Sequence, residues 1–330
     1  MLRRLIPDPF LIYLVGTVLL ASLLPARGEF AVWVGWLSIV TVVLLFFFHG
    51  AKLSREQVVA GLVRWRLHLV ILAATFVFFP LVGVAAAHLW PGLLPPDLWL
   101  GVLFICALPS TVQSAIAFVS IARGNVPAAI ASASASQMLG IVLTPLLMNL
   151  IAGTHGAAGG LAGTGKVALQ ILVPFLAGHL LRPLVGGFVA RHKGLIGITD
   201  RSTILVAVYA AFSAAVLEGL WHSLAPASLA LLAAVDAVLL AIALAVTWAA
   251  GRLFGFDRAD RIALLFCGTK KSLVQGVPMA RVLFPGAQAG VVLLPMMLFH
   301  QMQLMACAVI ARRYVTRDET QPAEPAHQPA

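Results

Sequence analysis

Three ionisable side chains stand inside long apolar runs of this chain. Lys270 and Lys271 are adjacent in FCGTKKSLVQG, and Asp236 sits mid-run between Val235 and Ala237. Keeping a charge at mid-membrane depth costs at least about 2.5 kcal/mol, so such residues are read first as functional. An ammonium there can draw an anion or occupy the place of a bound cation. A carboxylate can pair with that ammonium or exchange a proton, and the sequence predicts that Asp236 pairs with Lys270 or Lys271 in at least one state. A permanent structural ion pair is the alternative.

The lysines belong to a repeated motif. CALPSTVQSA begins at Cys106 and CGTKKSLVQG at Cys267. Both contain Ser-x-Val-Gln, as Ser110, Val112 and Gln113 and then Ser272, Val274 and Gln275, offset by 162 residues (272 less 110). Gly124 and Gly286 keep the same offset. Both segments also interrupt a helix. Pro109 lies among Ser110, Thr111, Gln113 and Ser114, and the second segment has Gly268 and Thr269 before the lysines. Unwound backbone at membrane depth survives only where protein buries it or where it lines a cavity. Freed N–H groups there can receive an anion and freed carbonyls a cation. The candidate substrate- or ion-binding residues are therefore Ser110, Thr111, Gln113, Ser114, Thr269, Lys270, Lys271, Ser272 and Gln275. Ser134 and Gln137 from the fifth apolar run join them, with Asp236 and with His300 and Gln301 from the last. Gln303 lies at the depth of His300. Two kinked structural helices are the bland alternative.

These residues need a membrane scaffold. The chain is 61 % hydrophobic and 10 % charged, against roughly a quarter charged in soluble domains. Hydropathy predicts ten spans, near 9–25, 29–49, 67–87, 98–122, 126–152, 167–187, 202–218, 225–250, 260–283 and 287–311. The polar stretch from Lys52 to Arg66 reads as an amphipathic interfacial helix. With a cytoplasmic N-terminus, only Arg27, Lys166 and Arg281 fall outside, and Lys270 and Lys271 fall within a span. The other 17 of the 22 basic residues are then cytoplasmic, a strong positive-inside bias. The prediction is an all-α, multi-pass inner-membrane protein with both termini cytoplasmic. Its first five-helix repeat is 1–153, its inter-repeat loop 154–165, and its second, inverted five-helix repeat 166–313; a disordered cytoplasmic tail is 314–330. An odd number of spans per repeat forces the inversion. The first run is read as a retained span rather than a cleaved signal. Cys106, Cys267 and Cys307 lie in apolar stretches and give no disulfide or metal spacing. His49, His68, His88, His179 and His222 lie nearer helix ends and receive no role. The turn Arg123-Gly124-Asn125 reads as structural.

At its motifs the sequence resembles the bile acid:sodium symporter superfamily, and within it the bacterial branch related to the solute-carrier-ten "member seven" proteins. The resemblance covers about residues 9 to 312 and rests on LPSTVQSAIAFVSIARGNVPAAI with a later TPLL, on FCGTKKSLVQGVPMA and on LFHQMQL. It implies ten helices, with a core domain that holds two crossed broken helices and a panel domain that moves against it. It further implies transport of organic anions, often driven by sodium. The family's sodium-site glutamate falls at Phe266, and the Gln-Asn before the ninth-helix serine falls at Lys270 and Lys271. Its Ser-Asn pair becomes Ser114 and Ala115, its fifth-helix hydroxyls Ala129 and Ala133, and its third-helix glutamine Thr75. Pro109, Ser114, Ser272 and His300 match. These departures count against sodium dependence.

The leading functional expectation is a secondary carrier of a small organic anion, alternating access around the two breaks. A cation/proton antiporter and a non-transporting regulator of membrane ion handling are the alternatives. The expected partners are the substrate and the lipid bilayer, without nucleic acid. No cofactor is expected, and sodium ion or proton are the candidate coupling ions. An intramembrane enzyme fits poorly, since no Ser/His dyad, paired aspartates or His/Glu cluster shares one depth. A channel lacks a charged or carbonyl-rich ring.

Overall fold

The computed structural model describes residues 9–52, 64–152, 161–284 and 286–319. Every regular element among them is a helix. Without water to satisfy backbone groups, helices that bond internally are the economical solution for so apolar a chain.

The elements run α1 (Pro9–Leu23), α2 (Gly28–Lys52), α3 (Trp65–Leu89), α4 (Pro96–Ala107), α5 (Gln113–Ile121), α6 (Val126–Ala152) and α7 (Leu161–Leu180). They continue as α8 (Arg182–Arg191), α9 (Lys193–Leu217), α10 (Leu220–Ser223), α11 (Pro226–Leu253), α12 (Arg258–Thr269), α13 (Leu273–Leu283) and α14 (Gln288–Glu319). Six of them, α2, α3, α6, α9, α11 and α14, are long and apolar enough to cross a membrane alone. Large apolar side chains such as Trp33, Trp36, Leu150 and Leu253 point outward, as a lipid-facing surface requires.

Two of the expected spans divide at the interruptions the sequence predicts, and a third bends where no break was expected. The fourth expected span divides into α4 and α5, and the ninth into α12 and α13. The sixth bends by 91° between Ile171–Leu180 and Arg182–Arg191. Pro183, at the second position of α8, cannot donate to a preceding turn and so starts a helix rather than continuing one. The expected linker helix falls largely on 53–63, and the first part of the inter-repeat loop on 153–160; both lie outside the described residues. Helix is already present from Leu161 and continues to Glu319 at the other end, so the expected loop and tail are each partly helical. Residues 320–330 are outside the described residues.

Two helical groups pack together, joined where α9 packs on α13 and α14 and where α6 packs on α7. In one, α1 and α2 pack on α9, and α2 lies along α7 and α8. The α2–α7 contact is backbone to backbone: a Cβ on Gly50 would lie 1.9 Å from the Phe175 carbonyl oxygen, and one on Gly178 would lie 1.9 Å from that of Phe47. In the other body, α12 packs on α11, α5 and α6, and α14 packs on α4 and α11. Edge-to-face rings, Phe104 on Phe284 at 5.3 Å and Phe79 on Phe299 at 6.4 Å, tie it together. The α5–α6 turn docks on the start of α12: the Asn125 backbone N–H donates to Ala259 O at 3.0 Å and its side chain to Asp260 Oδ1 at 2.7 Å. Arg64 reaches Asp257 and Asp260 beside it.

Candidate functional site

The two interrupted helices meet at their interruptions. After α4, Leu108 is extended at φ −73°, ψ 151°, as the residue before a proline must be. After α12, Lys270 (φ −85°, ψ 141°) and Ser272 (φ −85°, ψ 109°) are extended, and the Ser272 hydroxyl caps α13 by accepting from the Gln275 N–H at 3.3 Å. The backbone groups freed by each break are satisfied by the other break and its neighbours. Ser272 N–H donates to Pro109 O at 2.9 Å, Thr111 Oγ1 to Lys271 O at 2.9 Å, and Ser110 Oγ to Cys267 O at 2.6 Å. Ser110 N–H donates to Ser136 Oγ of α6 at 2.9 Å. Gln303 of α14 grips the Lys271 peptide at both ends, accepting from its N–H and donating to its carbonyl, each at 2.9 Å. The same Gln303 amide donates to His300 Nδ1 at 2.9 Å, so His300 carries its proton on Nε2 when neutral.

Extended backbone sends successive side chains to opposite faces, and the two lysines separate accordingly. Lys271 Nζ donates to three main-chain carbonyls: Thr75 at 2.9 Å, Cys106 at 3.0 Å and Leu108 at 2.8 Å. It also lies 4.1 Å from the centre of the Phe79 ring. Each carbonyl is free for a local reason. Cys106 and Leu108 border the α4 break. Thr75 lies in a single π-turn of α3, Ala74–Phe78, where Phe79 N–H reaches back to Ala74 O. Pro80 has no N–H to offer, so the Thr75 carbonyl has no donor within its own helix. All three ammonium protons are used.

Lys270 points the other way and is also fully buried. Its ammonium lies 4.5 Å from the Phe118 ring centre and has no hydrogen-bond partner. Asp236 is fully buried on α11, and neither carboxylate oxygen has a partner. In this conformation the expected pairing of Asp236 with a lysine is absent: the ion pairs among the described residues are Lys52–Asp200, Arg64–Asp257 and Arg64–Asp260.

A cavity of about 1070 Å³ lies between the two bodies and ends on the crossing. One wall consists of neutral groups from the broken helices and α6: Thr111, Gln113, Ser134, Gln137, Val274 and Gln275. The facing wall, from α2, α7, α8 and α9, presents His49, Lys52, Phe175, His179, Arg182 and Asp200. Lys52 Nζ lies 3.0 Å from Asp200 Oδ2.

Of the residues singled out in the sequence, Thr111, Gln113, Ser134, Gln137 and Gln275 thus line one cavity. Ser110, Lys271 and Ser272 are internal to the crossing, where Thr269 Oγ1 bonds back to Leu265 O at 2.6 Å. Ser114 Oγ is buried without a partner. Lys270, Asp236, His300 and Gln301 do not line the cavity. The cations that do, Lys52 and Arg182, were read only as orientation charges, and His49 and His179 were given no role. Gln303 was placed at the right depth without a function.

The comparisons with known proteins bear on this arrangement. Residues 8–316 match the SBF-like CPA transporter family (DUF4137). The chain belongs to this family. It is similar to the uncharacterized protein PA2026 of Pseudomonas aeruginosa, at 50 % identity over 99 % of this chain and 98 % of the other. It is 51 % identical to YfeH of Escherichia coli K12, named as a candidate symporter, over 94 % of each chain. Sodium/bile acid cotransporter 7 of Rattus norvegicus is 27 % identical over 94 % of this chain and 93 % of its own. A membership in a transporter family accords with the apolar helices and the resemblance found in the motifs.

Proposed function

We propose that the protein is a secondary active transporter of a small organic anion, working by alternating access around the crossing. The observation that carries this reading is the cavity, which lies between α2, α7, α8 and α9 on one side and α6 on the other and stops at two broken helices. Rocking one body against the other would close it on one face and open it on the opposite face, around a crossing held by main-chain bonds. The ten spans of the proposal count α4 with α5 and α12 with α13 as one span each, and add α1 and α7. The inverted repeat is supported by a contact between equivalent positions: Thr203 Oγ1 donates to Thr41 O at 3.2 Å, and the two residues are 162 apart. Positions related by a two-fold axis touch only near that axis. The positive-inside count supports a cytoplasmic-facing cavity, because Lys52 and Arg182, both counted as cytoplasmic, are among its lining residues.

The family resemblance implies a sodium ion near the crossing, and the residues present do not suit one. The three carbonyls gathered there already hold the Lys271 ammonium, and a sodium ion would have to displace it. Lys271 is thus proposed as a tethered cation that fixes the crossing and makes the carrier independent of sodium. Proton coupling is the second reading, favoured by the buried, partnerless carboxylate of Asp236. The test is uptake into proteoliposomes of a set of radiolabelled organic acids, with and without sodium and with and without a pH gradient. The account expects uptake of at least one acid above protein-free vesicles in potassium buffer. Uptake of none, or uptake only in sodium, would reject it.

A further inference from the structure

Every ionisable side chain lining the cavity, among the described residues, belongs to one wall. Lys52 and Arg182 face a single carboxylate, Asp200, which leaves one net positive charge when His49 and His179 are neutral. Asp200 takes one Lys52 proton at 3.0 Å, so two remain for a ligand. The Arg182 guanidinium has no partner among the described residues and offers a planar fork suited to carboxylate or phosphate oxygens. His49 Nδ1 donates to Leu45 O at 2.8 Å, so Nε2 of the neutral ring can accept from a ligand hydroxyl but cannot donate to its anionic group. His179 Nδ1 and, on the opposite wall, the Oε1 of the buried Gln275 have no hydrogen-bond partner. The opposite wall carries no charge but holds five amide or hydroxyl side chains.

Taking the transporter reading as its basis, we propose that Arg182 and Lys52, with His179 beside them, bind the anionic group of a hydrophilic monoanion whose hydroxyl or amide groups face the uncharged wall. The substrate class is then a polyhydroxylated or amide-bearing acid. An apolar-bodied acid of the same charge would strip water from the five polar side chains and return no hydrogen bonds to them. This differs from the sequence-based expectation, in which a lysine at the break meets the substrate. Both lysines there are buried outside the cavity lining.

Quinate and cyclohexanecarboxylate make a matched pair of probes, sharing ring and carboxylate and differing in hydroxyl groups. The purified full chain in detergent would be melted against potassium salts of quinate, gluconate, cyclohexanecarboxylate and inorganic phosphate at matched ionic strength. The expected result is a saturable rise in melting temperature with quinate or gluconate and none with cyclohexanecarboxylate at the same concentration. Arg182→Gln and Lys52→Gln should each raise the half-maximal concentration at least about tenfold, the change expected for loss of about 1.4 kcal/mol of binding. Their melting temperatures in chloride alone report folding, and Arg182→Lys should restore part of the response. An equal rise with cyclohexanecarboxylate, no rise with either hydroxylated acid, or an undiminished rise in both Gln variants would overturn the proposal. A rise with phosphate alone would also overturn it, and would identify a bare anion or lipid-headgroup site. Counterflow of radiolabelled gluconate in proteoliposomes separates the two levels. Binding without flux leaves this site standing and rejects the transporter reading, whereas flux insensitive to both substitutions does the reverse.

Discussion

Adjacent residues with the same side chain should respond in opposite directions to the same substitution. Replacing Lys271 with Met leaves the carbonyls of Thr75, Cys106 and Leu108 without the donor they share. Each buried acceptor left unsatisfied costs about 2 kcal/mol. Removing an ammonium from the membrane interior offsets about 2.5 kcal/mol of that loss. The net expectation is a destabilisation of about 3.5 kcal/mol. Unfolding entropy of about 2.1 cal/mol/K per residue, over 330 residues, converts this to a fall of about 5 °C in melting temperature. Lys270→Met removes the same charge from a site with no hydrogen bond, losing only its contact with the Phe118 ring. It should leave stability unchanged or raise it by about 1–2 kcal/mol. The assay is a fluorescence-detected thermal melt of both variants and the parent in one detergent. A fall for Lys270→Met as large as that for Lys271→Met, or no fall for Lys271→Met, would refute the assignment of the two ammonium groups.

Four further outcomes follow from the same geometry. Gln303→Leu removes both bonds to the Lys271 peptide and should cost about 2–3 kcal/mol, read in the same melt and accompanied by faster proteolysis. Gly50→Ala and Gly178→Ala each place a methyl group against a main-chain oxygen; each should destabilise by about 3 kcal/mol, and a neutral result would mean that α2 and α7 pack less closely. Asp236→Asn removes a buried carboxylate with no partner, so it should stabilise by roughly 1–3 kcal/mol, whereas a loss would reveal a partner. Outside the membrane, the Asp260 N–H and then Arg64 hold the Asp257 carboxyl below its ordinary 3.8. A depressed folded value means that its stabilisation is complete above pH 3.8 and fades as pH falls through the folded value. Asp257→Asn should keep the helix cap but flatten that acid limb in a melt series from pH 5 to pH 2.5, and Asp257→Ala should cost about 1 kcal/mol at pH 7.

Both helix breaks were legible because the residues that cause them are local. Pro109 withholds a donor, and Gly268 and Thr269 are poor helix formers beside a serine cap at Ser272. Polar residues on the break and on α6 pointed to the cavity for the same reason, since Thr111, Gln113, Ser134, Gln137 and Gln275 have no satisfactory place facing lipid. The carbonyl cage was not legible. It draws on three carbonyls from two backbone segments, 75 and 106–108, whose oxygens are available through a π-turn and a break, and no side-chain pattern encodes a carbonyl's direction. The cationic wall was misread because Lys52, His179 and Arg182 sit at helix ends, where charge ordinarily marks orientation. The 91° bend at Leu181 brings the helix ends that carry His179 and Arg182 into the cavity lining, and its sequence signal was Pro183, inside what hydropathy read as a continuous span. Asp236 and the lysines shared one apparent depth along their helices, but depth alone does not fix the direction each side chain takes.

The central claim is that the cavity is a transport path exposed to each side of the membrane in turn. Ser134→Cys, in a background lacking the three native cysteines, places a single thiol on the cavity wall; those cysteines are all buried, so their removal should disturb no accessible surface. Labelling with a membrane-impermeant maleimide in inside-out and right-side-out vesicles measures access from each face. The account expects fast labelling from the cytoplasmic face and slower, measurable labelling from the opposite face, with both rates changed together by a bound substrate. Labelling confined to one face, at a rate no acid alters, would show a fixed pocket and contradict alternating access.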